Sequence, residues 1–226
     1  ALESLESQLL DENLSSVGKI ASDQRLVWLI DISEWSDEIS IQPKVQKQSA
    51  KGKWSKGRNG SLNKLHNETD SMPWLTAQDL RVCSSIGQYN TGWGYKRGSY
   101  EIDSKRALLA LVGHPLVFWK DTPDIAVEVV QSDPGLQVNE EEDQIRLTMT
   151  HPVSGDGIMV IKESINRCIV IQVRPEHVKL SVAIGSTGLV IPVKEKERVQ
   201  RLIGPLSSQL DIQTNLSGVN EHLPEM

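Results

Sequence analysis

Phenylalanine occurs once and tyrosine three times in the 226 residues, against six tryptophans, so large aromatic burial falls to tryptophan. Cysteine is as scarce. Cys83 and Cys168 lie far apart and follow no metal-ligand spacing; both are read as reduced, buried thiols rather than as a disulfide. No apolar run approaches the ~20 residues that a membrane helix needs. No signal peptide opens the chain, which starts at Ala1 without an initiator Met and is read as a piece of a longer, cytoplasmic protein. An excess of positive charge is missing too. The 24 Lys and Arg stand against 30 Asp and Glu, a net charge of −6, so any contact with nucleic acid needs a local patch.

Catalytic signatures are also absent. The phosphate-binding order G-x-x-x-x-G-K-S/T does not occur, and Gly18-Lys19-Ile20 is no substitute for it. There is no G-x-S-x-G elbow, no H-E-x-x-H and no paired-cysteine zinc pattern. His114 follows an apolar helix and is read as a capping or packing residue, and His151, His177 and His222 stand isolated in turns or at helix edges. The four acids Glu140, Glu141, Glu142 and Asp143 read as a solvated hairpin tip, because a hard cation needs carboxylates converging on a fixed loop. No catalytic residue, metal or cofactor is therefore nominated, and an enzyme with a site assembled from scattered residues is the weakest reading.

What is present is an uneven distribution of charge. The segment from Gln42 to Leu65 carries Lys44, Lys47, Lys51, Lys53, Lys56, Arg58 and Lys64 and no acid. Its local charge is +7, which leaves −6 − 7 = −13 for the rest. Gly52, Gly57 and Gly60 are expected to keep it open, and Trp54 sits among the charges. Cations, glycines and an aromatic are what a phosphate-backbone contact with a stacking platform requires. Lys51, Lys53, Trp54, Lys56 and Arg58 are the candidates for contact with DNA or RNA. The competing reading is a basic loop docked on the acidic remainder of the chain.

The expected fold is α+β. Leu2, Leu5, Leu9 and Leu10 give an amphipathic N-terminal helix, Arg25 to Ile32 a buried strand, and Trp35 a following loop. Thr76 and Asp79 form a capping-box-like start to a helix running to about Ile86, and Gly87 to Gly98 is turn-rich. The stretch YEIDSKRALLALVGHPLVFW, Tyr100 to Trp119, reads as the organising element. Ser104 is its N-cap, Leu108 and Leu111 are buried between the two halves, Gly113 and Pro115 stop the helix, and a strand follows. Later strands are expected from Ile125 to Val130, Leu136 to Met149 as a hairpin, Ile158 to Val173 as a second hairpin, Leu189 to Val193 and Leu210 to Ile212. Helices are expected from Pro175 and over Lys194 to Leu206, the latter with Val199, Leu202, Ile203 and Leu206 on its apolar side. The expected organisation is a mixed, irregular region over 1–99, a domain of antiparallel strands with helices on one face over 100–216, and a flexible tail over 217–226.

Several of these stretches resemble the region that precedes the motor in large bacterial Swi/Snf-type helicases, the superfamily-two DNA-dependent ATPases. The likeness is carried by Trp54-Ser-Lys-Gly-Arg58 with Leu62 and Leu65, and by Leu75-Thr-Ala-Gln-Asp79-Leu-Arg81 followed by Tyr100-Glu-Ile-Asp103. It is most specific in Ala107-Leu-Leu-Ala-Leu-Val-Gly-His-Pro-Leu-Val-Phe118, and it continues through Val127-Glu-Val-Val130, Leu136-Gln-Val138 and Ile145-Arg-Leu147. It covers roughly residues 25 to 216. The family's ATP-binding and helicase motifs have no matching positions in this chain. The resemblance implies a noncatalytic accessory or regulatory module of an ATP-dependent translocase, contacting nucleic acid, the motor or a partner protein. The alternative is a structural protein–protein interaction domain with no nucleic-acid contact.

Overall fold

A computed structural model of the chain describes residues 23–33, 38–89, 99–153, 155 and 157–217. The N-terminal helix expected over Leu2–Leu10, Trp35, most of the turn-rich stretch (90–98) and the tail beyond Ser217 fall outside them. The fold is α+β with mostly antiparallel sheets, and no described helix is long and apolar enough to cross a membrane. The chain forms two compact units, Ala1–Ser104 and Lys105–Met226.

The first unit is built on β1 (Gln24–Ile32), the apolar run legible in the sequence. Leu26 through Ile30 are all at most 4% exposed, so both faces of this strand are covered. It pairs antiparallel with β2 (Ile39–Lys47), placing Trp28 opposite Pro43 and Ile30 opposite Ile41. A two-residue strand, β3 (Arg58–Asn59), pairs with the other edge of β2. Helix α1 (Leu62–Asn67) is capped by the Ser61 hydroxyl, which accepts from the Lys64 amide, and is anchored by buried Leu65.

Helix α2 (Ala77–Cys83) opens on the expected capping box, with Thr76 and Asp79 bonded reciprocally. It stops earlier than its apolar pattern implies. The hydroxyls of Ser84 and Ser85 donate to the Arg81 and Val82 carbonyls, which satisfies the last turn. Ile86 already belongs to β4 (Ile86–Tyr89), paired with β5 (Ser99–Ile102), so the stretch expected to be turns begins as a strand.

Helix α3 (Ser104–Leu111) buries Ala107, Leu108 and Leu111 completely. Ser104 is its first helical residue rather than the one before it, and its hydroxyl donates to the Ile39 carbonyl at 2.7 Å. Gly113 adopts φ 69° and ends the helix as expected. His114 is buried, and its Nδ1 accepts from the Leu116 amide, a turn-capping role.

The second unit continues with β6 (Val117–Trp119), β7 (Glu128–Ser132), β8 (Gly135–Glu141), β9 (Gln144–Met149), β10 (Gly157–Ser164), β11 (Arg167–Val173), α4 (Pro175–Ile184), β12 (Leu189–Pro192), α5 (Lys196–Leu206) and β13 (Asp211–Thr214). Two sheets result, in strand orders β10-β11-β7 and β12-β9-β8-β13. Both expected hairpins form. Two pairings, β11 with β7 and β13 with β8, are parallel rather than antiparallel. Each joins strands separated by long crossovers, which single-strand periodicity does not register. Leu136, Val138, Ile145, Ile171, Ile184, Val199 and Ile203 share the core of this unit. Leu202, expected on the apolar side of α5, is 55% exposed because it lies at the margin of the stripe that Val199 and Ile203 define.

Candidate nucleic-acid interface

The basic segment is an ordered arm rather than an open loop. Beyond Lys47 the chain continues through a bridge between Gln48 and Trp54 and turns back over five residues, Ser49 to Lys53. The Ser49 amide donates to the Lys53 carbonyl and the Gly52 amide to the Ser49 carbonyl, both at 2.8 Å. Gly52 sits at φ 76°, the left-handed position that a three-residue hairpin loop assigns to glycine. Sequence order Ser49-Ala-Lys-Gly-Lys53 is therefore a turn signal, and reading its glycine only as flexibility hides the hairpin.

The returning limb carries a bulge. From Val45 to Gln48 is three steps, whereas from Trp54 to their partner Arg58 is four, so one extra residue lies on the return. Gly57 absorbs it at φ 80°, where an added Cβ would meet the Gln46 side chain at 3.1 Å and the Val45 carbonyl at 3.2 Å. Lys51 thus stands at the tip, Lys53 just past it, Lys56 beside the bulge and Arg58 at the root, all four exposed. Among the described residues none of the seven cations of the arm and α1 forms an ion pair.

Trp54 is half-buried and already engaged. Arg25 on β1 lies over its ring, 4.1 Å from the centroid, and donates to Gln46 Oε1 at 2.8 Å. Burial lowers the pKa of the Arg25 guanidinium from its usual value. One face of the indole is therefore taken by a residue that composition did not single out. The candidates also divide between two faces of the ribbon. Trp54 shares the Gln48 and Gln46 side with Arg25, whereas Arg58 pairs with Val45 and so shares the opposite side.

On that opposite side the root of the arm borders a cavity of about 520 Å³. Arg58 and Lys64 supply two cations to its wall, and Glu68 a single acid. Trp74 and Met72 supply an aromatic and a thioether face. Leu65 and Val45 form an apolar floor, tightened where Gly60 leaves no room for a side chain beside Leu65 and Pro43. Sequence reading passed over Trp74, which lay just ahead of a helix start and outside the basic segment.

The other groups weighed from sequence are committed elsewhere. Glu140 holds Lys196 at 2.7 Å and Glu141 holds Arg146 at 3.1 Å, so half of the acidic tip is paired. His177 is buried with its Nδ1 accepting from the Arg174 amide. Cys83 and Cys168 are buried free thiols whose pKa burial pushes up to about 12, with the Asp79 charge adding to the shift at Cys83. No group of three or more His, Cys, Asp or Glu among the described residues is placed to hold a metal. Compared with protein-family models, curated proteins and solved structures, the chain matches none.

Proposed function

We propose that the chain is a noncatalytic nucleic-acid-contacting module whose basic β-arm lies along a phosphate backbone. The observation that carries this reading is the arm with the adjoining α1: seven cations, no acid between Gln42 and Leu65, and no ion pair among the described residues to neutralise them. A hydrogen-bonded two-stranded ribbon holds Lys51 at its tip, Lys53 and Lys56 along the returning limb and Arg58 at its root. This spares part of the ordering entropy that a loose basic loop loses on binding. The acidic remainder, at −13, disfavours contact elsewhere on the chain and so orients the backbone onto the arm. With the resemblance to the region ahead of bacterial Swi/Snf-type motors, we read such a module as the accessory of an ATP-dependent translocase of the cytoplasm, one that grips the strand while the motor supplies the work. The missing phosphate-binding loop agrees with that division of labour.

Charge reversal tests this reading. Lys51→Glu, Lys53→Glu and Lys56→Glu in one chain leave every buried residue in place, and the binding of fluorescent oligonucleotides is then followed at low salt. Loss of at least ~100-fold in affinity for every sequence alike supports the arm as the contact. Unchanged binding refutes it. Wild-type chain that ignores oligonucleotides but binds polyglutamate moves the reading to an acidic protein partner.

A further inference from the structure

We infer that the cavity at the root of the arm receives one unpaired nucleotide, which makes the chain a reader of single strands rather than of duplex. This rests on the nucleic-acid reading of the arm and adds the form of the ligand. The shared residue is Arg58, which is both the last exposed cation of the arm and part of the cavity wall. A backbone tracked from Lys51 to Arg58 therefore arrives at the cavity mouth. There Lys64, from the adjoining helix, offers a second cation for the next phosphate.

The interior has the chemistry of a base site. Its volume, about 520 Å³, lies within the range of small-ligand pockets, roughly 300–1,000 Å³. Trp74 and Met72 offer a stacking face, and stacking on an aromatic tolerates any base. Glu68 and Asn59 offer hydrogen-bond partners for a base edge or a sugar hydroxyl. A base inside a duplex cannot reach such a site, because its faces are stacked and its edge is paired. A single strand presents its bases at no such cost. Trp54 does not compete for this role, since Arg25 covers one face of its ring and the indole lies on the other side of the ribbon.

The test uses the full chain and two labelled probes of equal length, an oligothymidine single strand and a blunt-ended duplex, with an oligouridine strand to compare RNA with DNA. Trp74→Ala removes the stacking face. Ser71→Trp sets a bulky ring on the exposed rim without deleting any core atom. Melting curves confirm that each variant is folded. The expected result is single-strand preference in the wild type, a loss of roughly 5- to 150-fold on single strands in Trp74→Ala, the fold-change of one lost base–aromatic stack, and duplex binding within about 2-fold of the parent. Ser71→Trp weakens single-strand binding in the same direction. Equal effects on both probes, or none, overturn the cavity proposal and leave the charge reading of the arm standing. Absence of binding to all three probes at low salt removes the arm reading and the cavity proposal together.

Discussion

Replacing Asp79 by alanine isolates the interaction that ties α2 to β1 in the first unit. The Asp79 carboxylate is 2% exposed. One oxygen accepts from the indole Nε1 of fully buried Trp28 at 3.0 Å. The other accepts from the amide and hydroxyl of Thr76 at 2.9 and 2.7 Å. Removing the carboxylate strands the Trp28 N–H away from water, at about 1–3 kcal/mol for an unsatisfied buried donor. It also dismantles the capping box, at about 1 kcal/mol. The two terms give roughly 2–4 kcal/mol for Asp79→Ala. Urea unfolding of the full chain, followed by tryptophan emission and far-ultraviolet circular dichroism, measures the loss. A double-mutant cycle with Trp28→Phe separates the terms: coupling of about 1.5–3 kcal/mol is expected for a buried bond to a carboxylate. If Asp79→Ala unfolds within about 0.5 kcal/mol of the parent, the reasoning fails, because surface substitutions alone behave that way.

Three further outcomes follow from the same geometry. Leu108→Ala, at a fully buried site on α3, costs roughly 2–5 kcal/mol in the same unfolding assay; a variant that unfolds with the parent shows a peripheral helix. Gly57→Ala destabilises the arm more than Gly52→Ala, although both glycines have positive φ, since a Cβ at Gly57 meets the Val45 carbonyl at 3.2 Å and one at Gly52 meets only the Gln48 amide at 3.8 Å; hydrogen exchange of the arm amides reports the difference. The folded chain holds the Cys83 and Cys168 protons up to about pH 12, whereas the unfolded chain releases them near the ordinary thiol value of 9.0. The stability these two thiols contribute is complete below that value and is lost as pH rises toward 12; replacing both with alanine flattens this alkaline decline, and an unaltered decline contradicts it.

Strands and helices were legible wherever one residue pattern decided the outcome. The apolar run from Arg25 to Ile32, the Thr76–Asp79 box, Gly113 and the hairpin around Glu142 each carry their own local cause. Parallel pairing of β7 with β11 was not legible, because the partners are distant in sequence and nothing in either strand names the other. The end of α2 was misplaced because Ile86 fits an apolar helical stripe, while the two serines that stop the helix act through side-chain bonds to its last carbonyls. The cations of the arm were visible as composition. Their arrangement was not, since it depends on a bulge that appears only once register is known. Arg25 and Trp74 escaped notice for a related reason: each reaches its site from a neighbouring element, and single-sequence reasoning weighs a residue beside its own neighbours.

The salt dependence of oligonucleotide binding tests the central claim most directly. Affinity of the wild-type chain for a single strand is measured from about 50 to 200 mM salt, beside a variant carrying Lys53→Ala, Lys56→Ala and Arg58→Ala. If the arm lies on phosphates, log affinity falls linearly with log salt, and the triple variant lowers the slope by about 2, near 0.7 for each lost single-strand contact. A wild-type slope close to zero, or a triple variant whose slope matches the parent, contradicts the account.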